Sequence, residues 1–176
     1  LGLQIRIKQQ GVILSSRKKA GAVLLSGGSV SNDANHISGP SRTGEELFFA
    51  IRNAIRQAGI RPAEIDFISA HGTATPYNDD MEAKAIHLAG LAAVPVNSLK
   101  GFYGHTLGAA GLVESIVSLH SLKENIRFPT PGCTNPGTEK AVRVIQRLTP
   151  AKLGKCLKTA SGFGGCNAAI ILENLQ

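Results

Sequence analysis

The sequence predicts a single α/β domain with a mixed, mostly parallel sheet between two layers of helices. Short apolar runs that end in glycine or polar loops alternate along the chain with amphipathic segments of helical length. Strands separated by such helices pair in parallel through right-handed crossovers. The last two apolar runs are joined by a loop too short for a crossover, so this pair should be antiparallel. A three-layer α-β-α arrangement follows.

The first unit of the pattern is a strand, a loop and a helix. Residues 20–29 form an apolar run that ends near two glycines, and the polar residues 31–41 predict a loop. Thr43 and Glu46 have the spacing of a capping box, and Gly59 is placed to end the helix. The apolar face of this helix would comprise Leu47, Ala50, Ile51, Ala54, Ile55 and Ala58.

Two similar units and a final pair of strands follow. Residues 65–70 predict a strand, and the next helix should open near Asn78, where acidic side chains favour a helix N-terminus. Residues 95–98 predict a third strand, followed by a long helix from about 105 to 123. The final strands are expected near 156–161 and 168–173. Together these segments account for one sheet and three helices.

The composition is that of one globular domain. The 176 residues are 43% hydrophobic and 18% charged, enough for one core and too few for two. No apolar stretch approaches the roughly 18 residues of a membrane helix. Three cysteines without a CxxC pair favour a reducing cytoplasm over a disulfide framework and give no support for a metal site. Because the chain begins at Leu1 and its only methionine is Met81, we expect a piece of a longer protein.

The chain is basic, with 19 lysines and arginines against 12 acidic residues and a formal charge of +7. This balance favours an acidic partner, and a solvated basic surface is the simpler alternative. Only 5% of residues are aromatic and none is tryptophan, which argues against binding single-stranded nucleic acid by base stacking.

Three glycine-rich loops leave predicted strands at one edge of the sheet. One begins at His71, one ends at His105 and one contains Phe163. Ligands of open α/β sheets bind at the carboxyl ends of the strands. Small residues flank both histidines and leave room for a substrate, so the two are expected to share a pocket. The other histidines are expected to be structural: His36, His87 and His120.

Charged residues lie close in sequence to this pair. Lys100 precedes His105 by five residues, and Glu114 follows it by nine. A nearby ammonium keeps a histidine neutral, and neutral imidazoles can donate N–H bonds to an enolate or oxyanion. Glu114 lies on an apolar stretch, where an unpaired carboxylate would be costly. Lys100 is therefore its expected partner, with an ordinary pair of surface charges as the alternative.

The glycine-rich loops contain one candidate nucleophile, Cys166. Their spacing does not match the GxGxxG fingerprint, so dinucleotide binding is not supported. Cys166 could be a nucleophile with His71 or His105 as its base. A small buried thiol without chemistry is the simpler interpretation.

Four segments resemble one family. Residues 71–79 (HGTATPYND) resemble the HGTxTxxxD loop of β-ketoacyl-acyl carrier protein synthases. Residues 100–111 (KGFYGHTLGAAG) are similar to their KxxxGHTLGAAG segment, and residues 162–167 (GFGGCN) to their GFGGTN loop. Residues 32–36 (NDANH) also match a loop of the family. The three main motifs occur in family order and with family spacing.

The resemblance implies a thiolase-like fold, of which residues 1–176 would be the C-terminal half. The N-terminal half with the nucleophilic cysteine would precede this chain, which alone should be inactive. The family reaction is decarboxylative Claisen condensation of an enzyme-bound acyl group with malonyl-acyl carrier protein, in fatty acid or polyketide-like synthesis. A cytoplasmic homodimer or heterodimer without a cofactor of its own is implied. Acyl carrier protein is the implied partner, with no nucleic acid and no membrane.

The resemblance also assigns roles to residues. His71 and His105 would stabilise the enolate, while Lys100 would tune His105 and pair with Glu114. The remaining assignments concern substrate binding. They are Thr73 and Thr75 for the phosphopantetheine amides and Phe163 with Gly164 for the gate and oxyanion hole.

Two departures from the family and two alternatives remain. Cys166 stands where the family usually has threonine, and Ser161 where many members have a second phenylalanine. The second change alters the predicted pocket wall. One alternative is a non-catalytic partner subunit of a heterodimer, similar to a chain-length factor. The other, for this chain by itself, is a module that binds carrier protein without chemistry.

Overall fold

A six-stranded sheet forms the centre of the fold, as seen in a computed structural model that describes residues 14–16 and 21–175. The strands are β1 (Val23–Asn32), β2 (Phe67–Ser69), β3 (Pro95–Asn97), β4 (Ile126–Arg127), β5 (Arg143–Val144), β6 (Thr149–Pro150), β7 (Lys155–Ser161) and β8 (Cys166–Asn174). The helices are α1 (Glu45–Ala58), α2 (Pro76–Leu88), α3 (Lys100–Tyr103) and α4 (Ala110–Glu124). Within these described residues, no helix is long and apolar enough to cross a bilayer.

The spatial order of the sheet is β1-β8-β7-β2-β3-β5. The pairs β7–β2, β2–β3 and β3–β5 are parallel, whereas β8 is antiparallel to both β1 and β7. Five strands therefore point the same way, which confirms the mixed, mostly parallel sheet and its antiparallel last pair. The short strands β4 and β6 form a separate antiparallel pair, which was not predicted.

Helices cover both faces of the sheet. Successive strand residues point to opposite faces. On one face Ile68 and Leu157 pack with buried residues of α1 and α2, and on the other Phe67 and Cys156 pack with Leu122 of α4. This confirms the three-layer arrangement. The buried face of α1 follows the sequence prediction, comprising Leu47, Ala50, Ile51, Ala54 and Ile55.

The N-terminus of α1 differs from the predicted capping box. Gly44 is the N-cap, with a left-handed φ of +76° and no side-chain capping bond. Thr43 instead accepts a hydrogen bond from the Glu45 amide at 3.3 Å. A Cβ at residue 44 would lie 2.5 Å from the Met81 carbonyl oxygen, so contact with α2 decides the cap. Gly59 ends the helix as expected, with a φ of +69°.

The end of β1 and the start of α4 differ from their predicted positions, and in each case a contact explains the difference. β1 extends to Asn32, into the predicted loop, because it pairs with β8 along its whole length. The long helix expected from residue 105 begins only at Ala110. His105 remains outside the helix because its Nδ1 accepts the Leu107 amide at 3.1 Å. The first residue of the predicted strand, Ala20, lies outside the described residues.

Gly27 allows β1 and α1 to approach closely, and a Gly27→Ala variant should be destabilised. Its Cβ would lie 2.2 Å from the carbonyl oxygen of Ala54 and 2.9 Å from the amide of Ala58. Because both are backbone atoms of a packed helix, relief requires moving α1, at a cost of about 1–3 kcal/mol. Urea unfolding measures the effect.

Gly28→Ala is the matched control, since its Cβ would first meet Ile170 Cγ2 at 3.4 Å. Equal unfolding midpoints for the two variants would contradict the prediction.

Candidate active site

His71 and His105 lie together at one edge of the sheet. They follow the neighbouring parallel strands β2 and β3, whose carboxyl ends meet there. Their ring centroids are 5.2 Å apart, with an edge-to-face angle of 78°. His71 is buried and His105 is exposed. The structure thus places the two predicted histidines in contact, one beneath the surface and one on it.

A buried carboxylate holds the backbone of the His71 loop. Glu82 of α2 accepts the amide of His71 on Oε1 at 2.7 Å and the amide of Gly72 on Oε2 at 2.8 Å. The hydroxyl of Thr159 donates to Oε1 at 2.6 Å. Since Glu82 is only 3% exposed, these bonds satisfy a carboxylate that would be costly to bury alone. They fix the position from which the imidazole projects.

A second buried carboxylate joins two lysines. Glu114 is fully buried on α4, with Oε1 2.6 Å from Lys100 Nζ and Oε2 2.8 Å from Lys158 Nζ. The expected pairing of Lys100 with Glu114 is confirmed, and the alternative of surface charges is excluded. The second cation, on β7, was not predicted.

Lys100 contacts His71 rather than His105, contrary to expectation. Its Nζ lies 3.3 Å from His71 Nδ1 and also donates to the His71 carbonyl oxygen. Burial, followed by the charges of Lys100 and Lys158, lowers the pKa of His71 to about 3. His71 is therefore neutral at physiological pH. Lys100 contacts His71 because α3 turns the lysine inward under the β2 loop, and the role of Lys100 in tuning His105 stays a prediction.

The contacts indicate which ring nitrogen of each histidine carries the donor proton. His105 Nδ1 accepts the Leu107 amide, so its proton is on Nε2. His71 Nδ1 faces the ammonium of Lys100, which is a donor, so its proton is also on Nε2. Each imidazole therefore offers an Nε2–H donor. A pair of such donors can stabilise negative charge on one oxygen.

The pKa of His71 predicts a pH dependence of stability. An unfolded chain binds a proton at His71 below about pH 6.5, whereas the folded chain does so only near pH 3. Stability from this group is fully present above about pH 6.5 and is lost as the pH falls toward 3. Urea unfolding of the polypeptide that carries this chain, measured from pH 7 to pH 4.5, should therefore show weaker pH dependence in His71→Gln.

The difference in slope should approach about 1.4 kcal/mol per pH unit at the acid end. His87→Gln is the control, because His87 lies at the end of α2, where its Nε2 is 2.6 Å from the Ala141 carbonyl oxygen. Parallel pH curves for wild type and His71→Gln would contradict the prediction.

Two threonine hydroxyls lie beside the histidines. Thr73 and Thr75 have their Oγ1 atoms 2.7 Å apart, and the amide of Thr73 donates to Asp79 Oδ1 at 3.0 Å. Thr73 is half-buried and Thr75 is exposed. The loop thus presents adjacent hydroxyls that can bond amides of a bound chain.

The third loop is a single turn between β7 and β8. The Phe163 side chain is 81% exposed. Gly164 has a φ of +77°, and its amide donates to the Ile37 carbonyl oxygen at 2.7 Å. The Gly164 amide is thus engaged by a backbone carbonyl, and the gate and oxyanion hole expected at Phe163 and Gly164 stay a prediction.

Cys166 is an exposed free cysteine, not the small buried thiol expected. Its sulfur lies 3.6 Å from Asn32 Nδ2. The nearby hydroxyl of Ser161 donates to Asn167 Oδ1 at 2.8 Å. These contacts tie the ends of the loop together and lend no support to Cys166 as a partner of the histidines.

The comparisons with known proteins agree with these motifs. The family model described as "Beta-ketoacyl synthase, C-terminal domain" matches residues 22–134. A 3-oxoacyl-[acyl-carrier-protein] synthase 2 from Rhizobium meliloti (strain 1021) is 38% identical over 148 residues, which cover 82% of this chain and 35% of that protein. This chain therefore spans about a third of the length of that relative.

Solved structures show the same fold. A chain from a ketosynthase in complex with its chain length factor, from Xenorhabdus doucetiae, is 35% identical with a TM-score of 0.78. The match covers 86% of this chain and 39% of that chain. A second match is to a type II polyketide acyl-carrier protein in complex with its ketosynthase, at 29% identity and a TM-score of 0.79. It covers 86% of this chain and 38% of that chain.

Proposed function

This chain belongs to the β-ketoacyl synthase family, and from that premise we propose that it is the C-terminal domain of a 3-oxoacyl-acyl carrier protein synthase. The reaction would be decarboxylative Claisen condensation of an enzyme-bound acyl group with malonyl-acyl carrier protein. The observation that carries the proposal is the pair of imidazoles in contact, His71 and His105, above a buried Lys–Glu–Lys network. An acyltransferase of this kind needs two N–H donors where an enolate forms.

The histidines would act in the first half of condensation. As the malonyl thioester loses carbon dioxide, the electron pair of the broken C–C bond moves onto the thioester oxygen to give an enolate. Nε2–H donors from His71 and His105 would stabilise this oxygen. A neutral His71 is essential to this scheme, because its proton must lie on Nε2 while Nδ1 faces Lys100. Burial and the neighbouring charge of Lys100 keep the ring in this form.

The second half forms the new C–C bond. The enolate carbon would attack the acyl thioester held on a cysteine supplied by the N-terminal half. The resulting tetrahedral oxyanion would then collapse and release the cysteine thiolate. The Phe163 amide is the proposed donor to that oxyanion, with the exposed ring as gate. The hydroxyls of Thr73 and Thr75 would bond the phosphopantetheine arm.

The partners follow from the same proposal. An N-terminal half completes the site, and a homodimer or heterodimer is the working unit. Acyl carrier protein delivers the substrate, and the +7 charge of this chain suits an acidic carrier. We place the enzyme in the cytoplasm, without a cofactor of its own, and take residues 1–176 as its C-terminal domain.

Intact mass spectrometry of the full-length polypeptide tests the proposal. After incubation with an acyl-carrier thioester, one acyl group should be found on a cysteine upstream of this chain. If the folded protein gains no adduct, the proposed synthase function is contradicted and a non-catalytic partner subunit is favoured. Titration with acyl carrier protein at low and high salt tests the carrier-binding part, because binding should weaken with salt.

A further inference from the structure

Lys158 is a buried cation that contacts neither the substrate nor the reacting atoms in the reaction just proposed. It lies in the middle of β7, and the residue is 2% exposed. Its neighbours Cys156 and Leu157 are fully buried apolar residues. Removing an ammonium from water costs several kcal/mol, whereas an apolar side chain at such a position would carry no such cost. The lysine is tolerated at this position because the buried groups around it compensate the charge of its ammonium.

The contacts of Lys158 connect it to His71 by two routes. Its Nζ is 2.8 Å from Glu114 Oε2, while the other oxygen of that carboxylate binds Lys100. Lys100 in turn contacts His71 Nδ1. Lys158 Nζ also donates to the carbonyl oxygens of Ser69 at 3.3 Å and Ala70 at 3.5 Å. These are the two residues that precede His71.

The charged and titratable groups that face His71 come from every element packed around it. They are Lys100 on α3, Glu114 on α4, Lys158 on β7, Glu82 on α2 and the adjacent His105. Two ammonium groups thus oppose two carboxylates. Loss of one lysine would leave the cluster with an excess of negative charge, which favours protonation of the ring. The charge of Lys158 does contribute to the low pKa of His71.

We propose that Lys158 is a positioning residue for His71, sharing the Glu114 carboxylate with Lys100 and keeping the imidazole in place and uncharged. The inference deepens the proposed function and rests on it for the role of His71. An apolar residue at this position of β7 could not perform this role. Lys158 touches no substrate in this scheme and acts through Glu114 and the β2 backbone.

The test is titration of His71 by NMR in the full-length polypeptide labelled with ¹⁵N-histidine. In the wild type, the ring should stay neutral down to pH 5. Lys158→Met and Lys158→Gln should each raise the midpoint of the His71 titration by about one pH unit or more. The glutamine variant keeps a donor for the carbonyls, and it provides a second reading if the methionine variant folds poorly.

Lys155→Met is the matched control, because Lys155 lies on the same strand and its Nζ is 3.6 Å from Glu64. It should leave the His71 titration unchanged. A wild-type midpoint near pH 6.5, or folded Lys158 variants with a wild-type midpoint, would overturn the inference.

The decarboxylation activity of the Lys158 variants tests the inference independently. Malonyl decarboxylation by the Lys158 variants should fall more at pH 4 than at pH 8, relative to wild type. Only protonated His71 is impaired, and a midpoint raised from about 3 to about 4 or above leaves half or more of it protonated at pH 4. Equal losses at the two pH values would indicate a merely structural role and overturn the inference. A wild type inactive at both pH values would contradict the proposed function, while the NMR titration would still decide the role of Lys158.

Discussion

Replacing His71 or His105 with alanine is expected to lower carbon dioxide release from malonyl-acyl carrier protein by about a hundred- to a thousandfold. Each ring supplies one Nε2–H donor, and the two ring centroids are 5.2 Å apart. Loss of either ring therefore leaves the enolate with one of its two proposed donors. The measurement is single-turnover decarboxylation by the full-length polypeptide.

Two comparisons make the result specific. Glutamine at either position can present a neutral amide donor and should retain more activity than alanine. His87→Ala removes a histidine outside the pair, whose Nε2 contacts a backbone carbonyl oxygen at the end of α2, and should behave as wild type. Unchanged carbon dioxide release in both alanine variants would refute the role given to the pair.

Glu114→Gln is expected to destabilise the protein by about 3–5 kcal/mol, the usual cost of leaving a buried charge without its partner. Here one carboxylate, fully buried, meets two ammonium groups that are 8% and 2% exposed. The amide keeps the shape of the side chain and removes its charge. Urea unfolding of the full-length polypeptide at pH 7 measures the loss.

Glu64→Gln is the matched control. Glu64 pairs with Arg61 at 3.2 Å and with Lys155 at 3.6 Å, but on the solvent-exposed side of the fold. Water and salt screen such pairs, so the variant should unfold close to the wild-type midpoint. Similar midpoints for Glu114→Gln and Glu64→Gln would show that the buried network does not stabilise the fold.

The alternation of strands and helices could be predicted because it depends on local periodicity. The sequence correctly predicted the apolar face of α1 and the antiparallel pairing of β7 with β8. The cap of α1 was not, because the close approach of α2 to Gly44 depends on packing between distant segments. The break before α4 was missed because it depends on a side-chain bond to the Leu107 amide.

The same distinction applies to the candidate site. Motif spacing placed His71 and His105 at one sheet edge and the apolar setting of Glu114 predicted its pairing with Lys100. It did not identify Glu82 or Lys158 as buried groups that support the histidines. Glu82 was interpreted as an acidic residue of a helix N-terminus, although it binds the His71 loop. A lysine within the apolar strand β7 was a signal that could have indicated Lys158. Its partner, Glu114, lies 44 residues away and could be identified only from the fold.

The candidate site divides into a buried floor and an exposed rim, and this division bears on how such proteins can diversify. The floor comprises Lys100, Glu114 and Lys158, which balance one another's charges, and Glu82, which binds the His71 loop. A change in one of these residues therefore requires a change in its partners. Rim residues such as Thr75 and Phe163 project into solvent and share few contacts with the core. Substrate preference can therefore drift through the rim at little cost in stability, while the floor is inherited as a unit.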